Sequence, residues 1–541
     1  MAVFYLAFNY GFLSSNYEFD GTVFSLYIEA VKAGAGAGLL FHPHHLIFEP
    51  LAYLFFNLLW LLGLKVRSIL ALEIFASIIS SINLAVFGLN LFMLKPERKL
   101  PAIFCALGLG FSYAYWFFSV QPAELSLALL FLNLGFYIII RTGRKQKDII
   151  PAGRAIYIIF MLGICASFAA FGHIMHSLFL IPILYFAFRI FSFRKSRSRL
   201  RPLSAIILVA GIITGSLYLI GFLLQPMAHS QSEALPKLFL KWVIGNALIE
   251  TPFGYKNSYW NLGLSGPAQW FSGLAWAFFW KPAKTLEMSV WGGLKAFCLL
   301  LMAISIGIYI YKYIKNWSQR ELYDDFILLW IITGGIFTVF WAPGYYEQKM
   351  YILPPLWSMI CLGWPWPDSW SGKIIASAFL SLMIIILFAF NFLNGILPDS
   401  RPEHNQNLSI AEQIKDFTEP DSSIIISGIA STESAYYFGK IYIPYFSQRK
   451  TIVLDWSLSK PVQGKHFPQN LAAIISGETS SGHKTYLLSE ALSEPVLEAL
   501  SRHHRIASAD LRGFWNRFAL KPVAKLEGGM ELYRVDEKPD H

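Results

Sequence analysis

The chain has 541 residues, of which 55% are hydrophobic, 16% aromatic and only 14% charged, and its formal net charge is +10. The last 143 residues carry 34 acidic and basic side chains, whereas the first 398 carry only 44. A soluble globule of 398 residues needs far more charged surface than this, so the composition excludes a soluble enzyme. It predicts a polytopic membrane domain, residues 1–397, followed by a polar globular domain, residues 398–541.

The membrane domain is predicted to be mostly α: a transmembrane helical bundle of about 11 spans, since about 20 apolar residues cross a bilayer as a helix. A further apolar run, 46–64, has prolines at its start and many aromatic residues, which favours an interfacial helix over a crossing one. A crossing helix is the alternative. The predicted spans are 1–15, 68–94, 101–118, 123–140, 155–172, 177–192, 203–224, 288–311, 326–341, 350–363 and 374–396.

The distribution of Lys and Arg predicts the orientation of the spans. Basic residues cluster in alternate loops, at 95–99, 141–147, 194–201, 312–320 and 373. Basic loops are usually cytoplasmic, so the positive charge is explained without a nucleic-acid partner. The loops at 119–123, 173–176, 225–287 and 342–349, and the polar domain, are then extracytoplasmic. This is the expected arrangement in a plasma (inner) membrane.

The polar domain is predicted to be a small α/β domain. Helical patterns at 408–417, 466–476 and 490–503 alternate with short β-branched or aliphatic runs, Ser423–Ser427, Thr451–Leu454 and Thr485–Leu488. Residues 521–526 and 530–535 flank two glycines and are predicted to form a hairpin. The chain has no glycine-rich nucleotide-binding motif, and none of its four cysteines has metal-ligand spacing.

Ionisable residues are rare in the membrane domain, and several gather in the loops predicted to be external. Because an ionisable group at the membrane edge costs free energy if it is unpaired, such a set indicates a functional site. Each residue taken alone could instead cap a helix or extend towards the interface, as we expect for Glu29 and Glu73. The set comprises Glu18, Asp20, Glu124, Glu347 and Lys349, with His42, His44, His45, His173 and His176 on the same side.

These loops resemble the GT-C class of membrane glycosyltransferases, in particular its protein O-mannosyltransferase-like and aminoarabinose-transferase-like members. The resemblance rests on Asp20 in the first external loop, the His42-Pro43 element and Glu124 after the third span. A Gly-His…Pro element (Gly172, His173, Pro182) and a Trp-x-Pro…Leu-Pro-Pro segment (341–355) follow in the same order. Three features depart from the family: Asp-Gly replaces Asp-Glu, the second acid is Glu, and His-Pro is followed by His-His.

The resemblance implies transfer of a sugar from a polyprenyl-phosphate carrier to an acceptor hydroxyl, with inversion, at the external face. Asp20 is then the expected general base, and Glu124 orients the acceptor or shapes the surroundings of Asp20. Lys349, with Tyr345 and Tyr346, is expected to hold the lipid phosphate, with Lys65 and Arg67 as the second choice. The other expected substrate-binding residues are Glu18, His42, His44, His45, His173, His176 and Glu347.

No cofactor is expected. Carboxylate and histidine side chains on one face could bind a divalent metal ion, and this alternative stays open. The expected partners are the polyprenyl-phosphate sugar, an acceptor that is a lipid, glycan or protein, and membrane lipids.

Two other functions stay open. A lipid-linked glycan polymerase or ligase would share the external site but use an oligosaccharide donor. A transporter or lipid flippase would place its ionisable residues at the bilayer midplane, not at one face.

Overall fold

The computed structural model describes residues 1–143, 152–192, 201–229, 234–250, 263, 265–280, 290–318, 320–428, 439–459 and 467–538. The chain divides into two units, one of residues 1–14 and 27–398 and one of residues 15–26 and 399–541. The division at Pro398 lies beside the predicted domain boundary. Residues 15–26, however, group with the C-terminal unit and not with the predicted membrane domain.

The part of the chain before residue 400 is helical. Its helices are α1 (Ala2–Tyr10), α2 (Phe19–Lys32), α3 (Phe48–Leu61), α4 (Ser68–Leu94), α5 (Lys99–Phe111), α6 (Tyr113–Ser119), α7 (Leu125–Gly143), α8 (Ala152–Gly172), α9 (Leu180–Ser192), α10 (Arg201–Leu223), α11 (Leu235–Glu250), α12 (Ser265–Phe278), α13 (Val290–Lys315), α14 (Leu322–Phe340), α15 (Leu353–Gly363), α16 (Trp370–Asn391) and α17 (Leu397–Asp399). The division between the units falls within α2.

Seven helices among the described residues are long and apolar enough to cross a membrane, or eight if the pair α5 and α6, bent by 65°, counts as one span. The predicted span 1–15 is wrong as a crossing helix, because α1 has only nine residues. The predicted span 350–363 is likewise only the 11-residue α15. Helix α3 has 14 residues, a length that fits an interfacial helix. The chain is therefore an integral membrane protein with several short helices among its spans.

Polar side chains join the long helices inside the bundle. The Asn133 side chain on α7 donates to the Asn83 side chain on α4 at 2.8 Å, and the Asn90 side chain donates to the Asn133 carbonyl at 2.9 Å. All three asparagines are buried. Within an apolar bundle such interhelical hydrogen bonds and close packing hold helices together, because lipid offers no hydrophobic advantage to helix contacts.

The C-terminal unit is a five-stranded mixed sheet with helices, in the order β2-β1-β3-β5-β4. Strand β1 pairs in parallel with β2 and β3, and β5 pairs antiparallel with β3 and β4. The elements are α18 (Gln406–Phe417), β1 (Ser423–Ile426), α19 (Gly439–Tyr442), β2 (Lys450–Val453), α20 (Leu454–Ser459), α21 (Gln469–Ser480), β3 (Thr485–Leu488), α22 (Glu494–His504), α23 (Ser508–Trp515), β4 (Phe518–Lys525) and β5 (Glu531–Glu537).

The predicted fold class, a mostly helical bundle with a small C-terminal α/β domain, is thereby confirmed. The three short strands begin within a residue of their predicted starts, and the hairpin of β4 and β5 turns at Gly528 and Gly529, which both have positive φ. The predicted loop 225–287 contains two helices, α11 and α12. Its aromatic residues Tyr255, Tyr259 and Trp260 lie outside the described residues.

Candidate functional site

The His-Pro-His-His turn brings three imidazoles together between the 3-10 turn Ala37–Leu40 and α3. The His42 ring lies 5.1 Å from that of His44 and 5.3 Å from that of His45, the latter pair being stacked. The turn is held by α10, since the Tyr218 hydroxyl donates to the Pro43 carbonyl at 2.7 Å. Burial lowers the pKa of His42 to about 4, with the neighbouring His44 adding to the effect. The His42 ring is therefore neutral at pH 7 and can both donate and accept a hydrogen bond.

Two further predicted residues join this turn from α7 and α8. The His45 Nδ1 atom lies 3.4 Å from the Glu124 carboxylate, and the His45 and His173 rings are 5.4 Å apart. Glu124 immediately precedes α7, and His173 immediately follows α8. Gly172 permits this meeting, because a Cβ atom there would lie 2.8 Å from the Ala128 backbone on α7. The close approach of α8 to α7 thus brings His173 towards Glu124.

His45, Glu124 and His173 form a triad that we call the His-Glu cluster. Each side chain offers one ligand atom, and the three atoms lie within 4.8 Å of one another. All three residues are buried, and burial holds the pKa of His45 and of His173 well below its ordinary value. Neutral imidazoles and a carboxylate are the ligands that zinc and similar divalent ions take from proteins. The donor set therefore fits a divalent cation.

A short turn, Glu347–Ile352, carries the predicted phosphate-binding lysine. Lys349 is fully buried, and its ammonium group donates to the Thr338 carbonyl at 3.3 Å and lies 5.8 Å from the centre of the Trp270 ring. Trp270 donates to the Thr338 hydroxyl at 2.8 Å, which fixes the ring. Burial lowers the pKa of Lys349 from 10.5 to about 7. An anion that binds next to such a lysine stabilises the charged form of its side chain, which burial disfavours.

The lysine turn and the histidines meet through aromatic contacts. The His176 ring lies 5.6 Å from that of His173 and 5.1 Å from that of Tyr351, two residues beyond Lys349. The structure thus brings the histidine turn, the His-Glu cluster and the lysine turn into one region of the bundle. Tyr351 was not predicted, and its position within an apolar run gave no signal of this contact.

Other predicted residues of the lysine turn are less enclosed. Tyr346 packs its ring among aromatic side chains, 4.6 Å from Trp276 and 5.8 Å from Phe118. Glu347 is half-buried, and the Tyr345 side chain is exposed. The three residues therefore precede Lys349 along the chain, but Tyr346 takes part in core packing, whereas Tyr345 is accessible.

Asp20 and Glu18 belong to the C-terminal unit. Asp20 is an exposed residue in the first turn of α2, and the Glu18 carbonyl accepts a hydrogen bond from the Thr22 hydroxyl at 3.2 Å. Glu124 belongs to the other unit. The two predicted catalytic carboxylates are therefore carried by different units of the chain.

Of Glu29 and Glu73, the two carboxylates expected to cap a helix or extend towards the interface, only Glu29 does so. Glu29 does cap a helix, since it accepts from the Ser68 hydroxyl at 3.0 Å and pairs with Arg67 at 3.4 Å. Arg67, the second choice for the lipid phosphate, is thus engaged elsewhere. The prediction that Glu73 caps a helix or extends towards the interface is wrong, because this residue is buried within α4. Glu49, in the first turn of α3, is buried as well.

The structure resembles two solved membrane enzymes along nearly its whole length. One is ArnT, an aminoarabinose transferase from Cupriavidus metallidurans bound to undecaprenyl phosphate, with a TM-score of 0.59, 10% identity, and coverage of 98% of this chain and 97% of that one. The other is the Archaeoglobus fulgidus oligosaccharyltransferase tethered to an acceptor peptide, with a TM-score of 0.50, 12% identity, and coverage of 98% and 70%.

No protein-family model matches the sequence, and no curated protein sequence matches it either. At identities near 10% the likeness is one of fold. The chain therefore has the GT-C fold of these membrane glycosyltransferases, the class that its loop residues resemble.

Proposed function

We propose that the chain is a membrane glycosyltransferase that moves a sugar from a polyprenyl phosphate to an acceptor hydroxyl at the extracytoplasmic face, with inversion. The observation that carries the proposal is the extent of the likeness to the undecaprenyl-phosphate-bound ArnT, which covers 98% of this chain, including the C-terminal unit. The His-Glu cluster and the lysine turn supply polar chemistry at helix ends, as an enzyme acting at a membrane face requires.

Lys349 is proposed to hold the phosphate of the donor lipid. When the sugar leaves, the lipid phosphate gains negative charge, and a preorganised cation stabilises that charge in the transition state. The Lys349 ammonium group is buried, which is why its pKa lies near 7. Little water has to be removed from it when a phosphate arrives. It can therefore donate a charge-assisted hydrogen bond to that phosphate. Trp270 and Thr338 fix the position of that ammonium group.

Asp20 is proposed to be the general base. The acceptor hydroxyl must lose a proton as its oxygen attacks the anomeric carbon, and the exposed Asp20 carboxylate can accept that proton. Attack from the face opposite the phosphate inverts the configuration. Glu124, held beside His45 at 3.4 Å, is proposed to orient the acceptor through its carboxylate, and the remaining predicted histidines are proposed to contact the substrates.

The proposed reaction proceeds without a cofactor, because the leaving phosphate needs only positive charge and hydrogen-bond donors. The His-Glu cluster nevertheless has the donor set for a divalent ion. An ion held by His45, Glu124 and His173 would supply further positive charge close to the substrates. A chelator distinguishes the two forms of the proposal.

The experiment offers the purified full-length protein a panel of undecaprenyl-phosphate sugars, each with lipid, glycan and protein acceptors. Mass spectrometry then identifies the donor that is consumed and the acceptor that gains the mass of one sugar. The gain of a whole oligosaccharide would instead assign a glycan polymerase or ligase. Asp20→Asn is expected to slow consumption by on the order of 10²- to 10⁴-fold, and Asp421→Asn, which changes an exposed carboxylate of the C-terminal unit, is the control. Movement of lipid without a new glycosidic bond would refute the proposal.

A further inference from the structure

The segment that carries Asp20 is bonded into the C-terminal unit although it lies almost 400 residues away in the chain. The Ser15 amide donates to the Asp399 carbonyl at 2.7 Å, and the Ser15 hydroxyl donates to the Ser400 carbonyl at 3.1 Å. The segment of residues 15–26 and the residues from Asp399 onward form one unit for this reason.

Two buried side chains of the C-terminal unit hold this segment by its backbone. The Asn405 side chain donates to the Ser15 carbonyl at 2.6 Å and to the Tyr442 hydroxyl at 3.2 Å. The Tyr442 hydroxyl in turn donates to the Tyr17 carbonyl at 2.7 Å. The Tyr17 ring stacks on that of Phe446 at 5.5 Å. We call Asn405 and Tyr442 the clamp pair.

The clamp pair fixes the backbone firmly, because its polar atoms have few other ways to be satisfied. Asn405 is 3% exposed and Tyr442 only 1%, and a buried donor that loses its acceptor costs more than the hydrogen bond itself contributes. Helix α2 begins two residues after Tyr17, and Asp20 lies in its first turn. The place where the helix starts, and hence the place of the Asp20 carboxylate, therefore depends on the clamp pair.

We propose that Asn405 and Tyr442 are positioning residues that set the general base of the transfer reaction from within the C-terminal domain. The inference rests on the proposed function of Asp20 and adds a role for the C-terminal domain. A general base acts only within hydrogen-bond reach of its proton, and a displacement of about 1 Å can cost on the order of 10²-fold in rate.

Two conservative substitutions loosen the clamp while keeping the fold. Asn405→Asp retains the oxygen that caps α18, where Oδ1 accepts from the Leu408 amide at 3.1 Å, but removes the donor to Ser15. Aspartate and asparagine cap helices equally well. Tyr442→Phe removes only the hydroxyl that donates to Tyr17.

The C-terminal unit offers a matched control for each substitution. In Asn470→Asp the lost donor is one that binds the Ser457 carbonyl, also at 2.6 Å, and Asn470 is fully buried. In Tyr486→Phe the lost hydroxyl donates to the Glu419 carboxylate at 2.6 Å. Neither control residue hydrogen-bonds to residues 15–26 in the contacts described for this unit, so both report the general cost of such a substitution.

The first measurement is amide hydrogen exchange of the purified full-length protein in detergent. Peptides covering residues 15–26 are expected to exchange at least 10-fold faster in Asn405→Asp and Tyr442→Phe than in the wild type and the two controls. Unchanged exchange of these peptides would overturn the inference that the clamp pair holds residues 15–26. This test does not require that the sugar donor has been identified.

The second measurement is turnover with an undecaprenyl-phosphate sugar that the wild type consumes. Each clamp variant is expected to lower kcat by about 10-fold or more, with KM for the donor within twofold of the wild type. Combining Asn405→Asp with Asp20→Asn should lower kcat no further than Asp20→Asn alone, because the clamp acts through Asp20. A loss that adds fully to that of Asp20→Asn, or a loss no larger than in the controls, would overturn the inference alone. Wild-type turnover in Asp20→Asn would overturn the proposed function as well.

Discussion

Replacing Lys349 by methionine tests the proposed role of this lysine in binding the phosphate of the sugar donor. The Lys349 side chain is expected both to lower the stability of the protein and to bind the donor. Burial lowers the pKa of Lys349 from 10.5 to about 7. Between pH 7 and pH 10.5 the unfolded chain therefore binds a proton that the folded protein does not, so stability falls as the pH drops through this interval and stays low below it. Each pKa unit corresponds to about 1.4 kcal/mol.

Lys349→Met removes this cost and keeps the length of the side chain. We expect the variant to have a higher Tm than the wild type in detergent at pH 6, and a smaller difference at pH 10. Its affinity for an undecaprenyl-phosphate sugar should fall by about 10- to 100-fold, the contribution of one hydrogen bond to a charged group. The wild-type affinity should fall by the same factor between pH 7 and pH 9, as Lys349 loses its proton.

Trp270 provides the binding assay, since its ring centre lies 5.8 Å from the Lys349 ammonium group and its fluorescence should respond to a neighbouring phosphate. The sugar donor is a phosphodiester, so the ligand does not titrate in this range. Lys237→Met, which changes an exposed lysine of α11, serves as the control. An unchanged Tm at pH 6 together with unchanged donor affinity would refute the role of Lys349 in both respects.

Three further predictions concern the carboxylates and the His-Glu cluster. Asp20→Asn should lower kcat by on the order of 10²- to 10⁴-fold with donor binding unchanged, and Glu124→Gln should cost less and affect acceptor use most; equal turnover in folded Asp20→Asn protein would contradict the assignment. If the cluster holds a metal, elemental analysis should find about one divalent ion per chain, lost in His173→Ala, and a chelator should inhibit transfer. Gly172→Ala should lower both Tm and turnover, because its new Cβ would lie 2.8 Å from the Ala128 backbone.

Much of the C-terminal fold follows from local sequence patterns. The run of isoleucines in β1 and the aliphatic run of β3 are short, buried strands, and Gly528 and Gly529 supply the positive φ values that the turn between β4 and β5 needs. The sheet order could not be predicted in this way, because the pairing of β1 with both β2 and β3 depends on how helices cover the sheet.

The candidate site was predicted only as residues on one side of the membrane. Positive charge in alternate loops indicates sidedness, but it does not indicate which loops touch. The approach of His173 to Glu124 depends on the close packing of α8 against α7 at Gly172, a packing detail that hydropathy does not contain. The grouping of Asp20 with the C-terminal unit depends on backbone hydrogen bonds of Ser15 and Tyr17, for which side-chain patterns give no signal.

The bond between Tyr442 and Tyr17 joins residues 425 positions apart, and this separation has a consequence for biosynthesis. The segment with Asp20 is made early, yet its hydrogen-bond partners are made only after all the spans have entered the membrane. Contacts of such long sequence separation form late in folding. A ribosome-bound or truncated chain therefore contains Asp20 but lacks the surface that holds it, and under the proposed function it gains activity only when its last domain has folded.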